Sequence, residues 1–225
     1  MPIRALIFDF DGLILDTETP DYQAWQQVYH DHGVDLPLEK WASIVGGTAI
    51  SKFDPYDYLE ELLGRKLDRE AIWIKRRRLY IETLESQPVL PGVQEYLDDA
   101  RRLELKGGVA SSSPEGWVAG HLTRLNLMDY FDCVCTADDV ETTKPDPSLF
   151  QEVLTGLGVT PKEAIVFEDS PNGVMGAKRA GIFTVAVPNP LTAQLVLDEA
   201  DLLLGSLSDM TLEQLLEEVK SRSGG

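Results

Sequence analysis

Short apolar runs alternate with helical repeats along most of the chain, and this pattern predicts an α/β fold. The first run, Ala5 to Phe8, is followed by Gly12, a residue that lets the backbone turn sharply away from a buried strand. Further apolar runs predict strands at 107–110, 132–136, 164–167, 182–187 and 202–204. Strands separated by helices form parallel sheets covered on both faces, so we predict a Rossmann-like core.

One long segment breaks this alternation, because its apolar positions recur only at helical spacing. Helical repeats occur at 20–33, 37–46, 58–63 and 68–84. We therefore predict a small all-helical cap domain over residues 18–87, inserted into a core domain of residues 1–17 and 88–225. We expect Trp25 and Trp73 to lie in the core of this cap rather than to form a platform for a substrate.

Composition narrows the possible partners. The 225 residues include 38 Asp and Glu against 20 Lys and Arg, a net charge of -18, which repels nucleic acid and anionic membranes. An anionic substrate would therefore need a locally positive pocket. Asp9 interrupts the N-terminal apolar run, which argues against a signal peptide, and no run is long enough to span a bilayer. Cys133 and Cys135 suit reduced thiols in one strand, so we expect a cytoplasmic protein.

Polar side chains stand where several predicted strands end, which is where parallel sheets bind ligands. They are Asp9, Asp11, Ser111, Glu168 and Asp169, and Lys144 lies in a loop held by prolines. Taken singly, each has a plain alternative, as a solvated acid, a helix-capping serine or a surface lysine. Crowded carboxylates repel one another unless a proton or a cation lies between them. Their joint occurrence at one sheet edge indicates a functional site.

Four segments resemble, in order, the motifs of the haloacid dehalogenase superfamily, in its phosphatase branch. They are D-F-D-G-L-I-L-D-T from Asp9, V-A-S-S-S-P from Val109, K-P-D-P from Lys144 and F-E-D-S-P-N-G-V from Phe167. A helical cap directly after the first motif resembles the subgroup that contains beta-phosphoglucomutase and many small sugar-phosphate phosphatases. The resemblance implies Mg²⁺, an aspartyl-phosphate intermediate and a small phosphorylated metabolite as substrate.

The resemblance also implies a role for each motif residue. Asp9 would be the nucleophile, and Asp11 the general acid and then the general base. The metal ligands would be Asp9, the carbonyl of Asp11 and Asp169, with Glu168 assisting or coordinating. True dehalogenases lack the second Asp of the first motif, so Asp11 favours phosphate over a halogenated acid.

Substrate contacts are implied in both domains. In the core, Thr17, Ser111, Ser112 and Lys144 would bind the phosphate group. In the cap, Gly47 lies in a segment that resembles the specificity loop of the family. Lys75 to Arg78 form the densest positive run, and we expect most of it to be a solvated face from which Arg76 could reach a substrate phosphate.

Two alternatives to a phosphatase remain. A phosphomutase of the beta-phosphoglucomutase pattern carries a His on the first cap helix and an Arg in the specificity loop, whereas this chain has Asp21 and Gly46–Ala49. We therefore predict hydrolysis. A non-catalytic phosphometabolite-binding protein would not need the complete set of motif residues. We expect no nucleic-acid or membrane partner, and a monomer or weak homodimer.

Overall fold

A central sheet of six parallel strands organises the protein, for which a computed structural model describes residues 2–42 and 53–223. The strand order is β3-β2-β1-β4-β5-β6, so the N-terminal strand lies inside the sheet. The strands are β1 (Ala5–Phe8), β2 (Lys106–Ala110), β3 (Cys133–Cys135), β4 (Ala164–Glu168), β5 (Phe183–Ala186) and β6 (Leu202–Leu203). The predicted α/β class is confirmed, and the observed strands are at most two residues shorter or one residue longer than predicted.

Alternate residues of β1 face opposite sides of the sheet, as the pleat of a strand requires. Leu6 and Phe8 belong to the larger hydrophobic cluster, and Ala5 and Ile7 belong to a second one. All four side chains are fully buried. A strand that is buried on both faces reads as a continuous apolar run, which is why this segment could be recognised from the sequence.

Helices cover both faces of the sheet. In the core they are α5 (Val93–Arg102), α6 (Glu115–Arg124), α7 (Ser148–Leu157), α8 (Pro171–Arg179) and α9 (Leu212–Ser223). Buried residues of α5, α6 and α9 join the larger cluster, whereas those of α7 and part of α8 join the second. None of the helices described is both long and apolar enough to cross a bilayer.

Within the described residues, four helices lie between β1 and Pro88, where the helical insert was predicted. They are α1 (Glu18–Asp31), α2 (Leu38–Ala42), α3 (Pro55–Leu63) and α4 (Arg69–Glu85). Trp25 is 3% exposed in their shared hydrophobic cluster, as predicted. Trp73 is 52% exposed, so its predicted place in the cap core was wrong. It lies on the outer side of α4, whose inner side carries Ile72 and Tyr80.

The chain enters and leaves the helical insert side by side. Leu15 forms isolated bridges with Asp11 and Val89, so the two connections touch next to the end of β1. Gly12 makes the sharp turn after β1 with a φ of 82°, a conformation that favours glycine. The domain boundaries at residues 17 and 88 remain a prediction that agrees with this crossing point.

Candidate active site

The carboxyl ends of three adjacent strands bring the predicted motif residues together. Asp9 follows β1 and donates its backbone N–H to Phe167 O in β4, at 3.0 Å. Ser111 follows β2, Glu168 ends β4, and Asp169 comes next in the chain. All four side chains are buried. Parallel strands end at the same edge of a sheet, so residues far apart in sequence meet here.

Lys144 supplies the positive charge of this cluster. Its Nζ donates to Asp9 Oδ1 at 2.5 Å and to Glu168 Oε1 at 2.6 Å. Burial works to lower the pKa of Lys144, but the charges of Asp9 and Glu168 outweigh it and hold that pKa above its usual range. The lysine is therefore a fixed cation, and the surface position considered for it is excluded because its side chain is only 6% exposed.

Three carboxylates beside Lys144 fit a divalent cation. One oxygen each from Asp9, Glu168 and Asp169 lies within 4.8 Å of the others. Burial, then the charge of Glu168, raises the pKa of Asp9 to about 8, and burial and Asp9 raise the pKa of Asp169 in the same direction. When all three carboxylates are ionised, the single ammonium leaves two negative charges uncompensated. A divalent ion with oxygen ligands would balance them.

Asn189 orients the Asp169 carboxylate, although no sequence motif marked it. Asn189 Nδ2 donates to Asp169 Oδ2 at 2.8 Å, and its own Oδ1 accepts from the backbone N–H groups of Leu191 and Thr192. Asn189 follows β5, so its place beyond a strand end was the one available signal. Gly12 lies against the same carboxylate, where a Cβ would come within 2.3 Å of Asp169 Oδ2.

Glu168 is held from two sides. Its Oε1 accepts from Lys144, and its Oε2 accepts from the backbone N–H of Asp169 at 3.1 Å and from the Ser170 hydroxyl at 3.2 Å. Gly173 leaves room for it, because a Cβ there would come within 2.0 Å of the carboxylate. These contacts suit a residue that fixes Lys144 as much as one that binds a metal.

The Asp11 carboxylate is not part of the group of three clustered acids and has its own hydrogen-bond donors. Ser113 Oγ donates to its Oδ2 at 2.7 Å and Ser111 Oγ at 3.4 Å, while Trp117 Nε1 donates to its Oδ1 at 2.9 Å. Ser113 and Trp117 were not predicted to act at the site. An indole N–H on a helix after a serine-rich strand end has no recognisable signature in the sequence.

A cavity of about 630 Å³ opens between the helical insert and the core. The residues that line it are Asp11, Thr17, Glu18, Asp21, Arg77, Tyr80, Ser113, Pro114, Gly116 and Trp117. Thr17 and Asp11 thus line the same cavity, and a substrate contact by Thr17 remains a prediction. Ser112 is exposed, and Gly47 falls outside the described residues.

The positive run on α4 presents Arg77 to the cavity, whereas Arg76 is not among the lining residues. Arg76 pairs with Asp21 of α1 and lies 5.6 Å from the centre of the Trp25 ring. Successive helical residues point about 100° apart, so only the docking of α4 decides which arginine reaches the cavity. A phosphate contact by Arg76 would require it to leave Asp21.

Acidic residues of α1 form one wall of the cavity. Burial, then the charges of Asp11, Asp21 and Asp16, raises the pKa of Glu18 to about 7. Burial also raises the pKa of Asp21, although the Arg76 guanidinium works against that shift. With Arg76 engaged by Asp21, Arg77 is the one cation among the described lining residues.

The fold and the four motif segments define a member of the haloacid dehalogenase-like hydrolases. The family model for haloacid dehalogenase-like hydrolases matches residues 6–187. The chain therefore belongs to that family, and it is an enzyme of the phosphatase type, a phosphoric monoester hydrolase.

Individual relatives agree with this assignment. The "Putative phosphatase YhcW" of Bacillus subtilis is 46% identical over 221 residues, which cover 98% of this chain and 100% of the relative. The "Phosphorylated carbohydrates phosphatase" of Thermotoga maritima is 33% identical, with coverage of 80% and 82%. The crystal structure of beta-phosphoglucomutase from Clostridium difficile superposes with a TM-score of 0.71 at 27% identity, covering 99% of this chain and 100% of that one.

Proposed function

We propose that this protein is a magnesium-dependent phosphatase that hydrolyses the monophosphate of a small carbohydrate through an aspartyl-phosphate on Asp9. The observation that carries the proposal is the buried pairing of Asp9 with Lys144 at 2.5 Å, beside two further carboxylates. A carboxylate placed next to a fixed cation and a cation site is suited to attack a phosphate dianion, which would otherwise repel it.

In the first step, an Asp9 oxygen attacks phosphorus and forms an O–P bond while the bond from phosphorus to the sugar oxygen breaks. Asp11 gives its proton to the departing oxygen, which leaves as a neutral alcohol. Lys144 neutralises phosphate oxygens, and Ser111 donates to them. Asp11 has the position for this role, because it lines the cavity in which the sugar would lie.

In the second step, water attacks the aspartyl-phosphate. The Asp11 carboxylate, now deprotonated, takes a proton from that water, and the Asp9–phosphorus bond breaks to release inorganic phosphate. Asp9 returns to its free form. The two steps divide one difficult displacement into two easier ones.

Asp9 and Asp169 would hold the magnesium, with Glu168 assisting and the Asp11 carbonyl as a further ligand. When bound, the ion reduces repulsion between the nucleophile and the phosphate. Asn189 and Gly12 keep Asp169 in place for this task.

The substrate class is inferred from the cavity. Its carboxylates can accept hydrogen bonds from sugar hydroxyl groups, and the stacked pair of Tyr80 and Trp117 gives one side of it an apolar boundary. Acids outnumber the single lining cation, Arg77, so a second phosphate or a carboxylate would be poorly tolerated there. The relative that acts on phosphorylated carbohydrates supports the same class.

Hydrolysis is favoured over phosphoryl transfer to a second hydroxyl. A mutase must bind a bisphosphate intermediate in its cap, yet Asp21 cannot donate to a phosphate, and its pairing with Arg76 occupies a positive charge nearby. The identity of 46% to a phosphatase-named relative, against 27% to the mutase structure, supports the same choice.

The first experiment is a panel of sugar and sugar-alcohol monophosphates with magnesium, in which released inorganic phosphate is measured. Asp9→Asn is expected to lower turnover by several orders of magnitude, because an amide does not attack phosphorus. Asp35→Asn, at an exposed position, is the matched control and should retain turnover. Near wild-type turnover by Asp9→Asn would remove Asp9 as the nucleophile.

The second experiment separates the hydrolase from the mutase. The protein is incubated with beta-glucose 1-phosphate and a trace of the 1,6-bisphosphate, and both free phosphate and glucose 6-phosphate are followed. We expect free phosphate without any requirement for the bisphosphate. Glucose 6-phosphate formed much faster than free phosphate would establish the mutase instead.

A further inference from the structure

We infer that Trp117 is a positioning residue for the general acid Asp11, and that the cap residue Tyr80 holds Trp117 in place. The inference rests on the proposed function, because it takes Asp11 as the acid that protonates the leaving alcohol. None of the motif segments includes Trp117 or Tyr80.

The contact with the acid is direct. Trp117 Nε1 donates to Asp11 Oδ1 at 2.9 Å, and Ser113 Oγ donates to Asp11 Oδ2 at 2.7 Å. Donors on both oxygens fix the plane of the carboxyl group as well as its direction. An indole is a donor only, so it must face an oxygen of Asp11 whatever the protonation of that group.

The indole itself is clamped. The Tyr80 ring of α4 stacks on it, with centroids 6.0 Å apart and planes 13° apart, and His121 of α6 meets it edge-on at 4.5 Å. The guanidinium of Arg77 lies 5.9 Å from the centres of both the Tyr80 and Trp117 rings. Offset-stacked and edge-to-face pairs are favourable arrangements for aromatic rings, so these contacts restrict the indole to one orientation.

These contacts cross from the helical insert to the core. Tyr80 and Arg77 belong to α4, whereas Trp117 belongs to α6 and Asp11 to the loop after β1. All four residues line the same cavity. The position of the acid therefore depends on the place of α4 over the core, which links the cap to the proton-transfer step rather than only to substrate binding.

The test uses two phosphate esters of similar size that differ in their need for a proton. The leaving group of benzyl phosphate departs as a poorly stabilised alkoxide unless an acid protonates it. The leaving group of p-nitrophenyl phosphate departs as a stabilised phenolate and needs no proton. The value of kcat/KM reports steps up to departure of the leaving group, so it isolates the acid from the later base role of Asp11. The ratio of the two values on one preparation cancels the fraction of enzyme that is folded.

Trp117→Phe keeps the ring and removes the N–H. We expect kcat/KM for benzyl phosphate to fall roughly 10-fold or more, while the value for p-nitrophenyl phosphate changes less than about 3-fold, since general acid catalysis contributes about 10²–10⁴-fold where it is needed. Tyr80→Leu should shift the ratio in the same direction, and little further when added to Trp117→Phe. Trp73→Phe, on the exposed side of α4, is the matched control and should leave the ratio unchanged.

Equal losses with both esters, or no loss with either, would overturn the inference, as would a wild-type enzyme that hydrolyses p-nitrophenyl phosphate but not benzyl phosphate. Failure of the proposed function looks different. In that case the wild type releases no phosphate from these esters or from any sugar monophosphate of the panel, or Asp9→Asn retains its turnover.

Discussion

Replacing Lys144 by Met tests the charge balance of the site. The change keeps the length of the side chain and removes the ammonium that lies 2.5 Å from Asp9 and 2.6 Å from Glu168. Both carboxylates then remain buried without their shared cation. Breaking a buried ion pair by removing one partner costs about 3–5 kcal/mol.

Proton uptake reduces part of this cost, because the pKa of Asp9 is already raised to about 8. At pH 6 Asp9 is protonated in the metal-free protein and needs no counter-charge. At pH 9 it is ionised in the wild type, whereas the variant lacks the Lys144 charge that lowers this pKa and must bind a proton or keep an unpaired buried charge. We therefore expect Lys144→Met to lower the free energy of unfolding by about 3 kcal/mol or more at pH 9 and by less at pH 6.

The assay is chemical denaturation in excess chelator at both pH values, with Lys178→Met as the matched control. Lys178 pairs with Asp201 at the surface, where both side chains are about 30% exposed. A surface pair contributes about 0–1 kcal/mol. If Lys144→Met costs no more than Lys178→Met at pH 9, the clustered carboxylates do not depend on Lys144 and the charge argument fails.

Three further predictions follow from the same cluster and its wall. Removing divalent ions with a chelator should abolish turnover and magnesium should restore it, with a higher melting temperature in magnesium; full turnover in excess chelator would contradict this. Gly12→Ala should weaken magnesium binding and turnover about 10–100-fold, because its Cβ would displace Asp169. Gly33→Ala is the control for backbone strain, because Gly33 has a similar φ but open space around it. Equal losses of turnover in the two variants would show that displacement of Asp169 is not the cause. For Glu18, the folded pKa of about 7 exceeds the ordinary value of 4.5, so the stability that it contributes below pH 4.5 is lost as the pH rises to about 7. Relative to wild type, the free energy of unfolding of Glu18→Gln should therefore rise by about 2–3 kcal/mol between pH 5 and pH 8, which paired melting curves would show; the absence of a relative rise would show that Glu18 is not the cause of the pH dependence.

Much of the site could be predicted because its residues occupy strand ends. Asp9, Ser111 and Glu168 each follow or end a buried apolar run, and the alternation of strands and helices requires those ends to share one edge of the sheet. The local apolar pattern and the topology together are sufficient to predict where such residues lie, since the end of a strand fixes the position of the residue that follows it. The helical insert was likewise evident from spacing alone.

The cap residues that face the cavity could not be predicted in this way. Arg76 and Arg77 are neighbours on one helix, and Trp73 and Tyr80 share its sequence pattern of mixed apolar and basic residues. Which of them faces the cavity depends on the rotation of α4 against α1 and the core. That rotation is set by tertiary packing, including the pairing of Arg76 with Asp21.

The sequence by itself therefore determined the α/β class, the helical insert and the acids and serine of the motifs, because each is tied to a local apolar pattern or a strand end. The loop residue Lys144 was recognised from its K-P-D-P motif. Only the tertiary structure decided that Asn189 orients Asp169, that Trp117 and Ser113 hold Asp11, and that Arg77 lines the cavity. The difference has one physical cause. A strand end places its own residues, whereas a side chain on a helix or a loop acquires a partner only when another element packs against it.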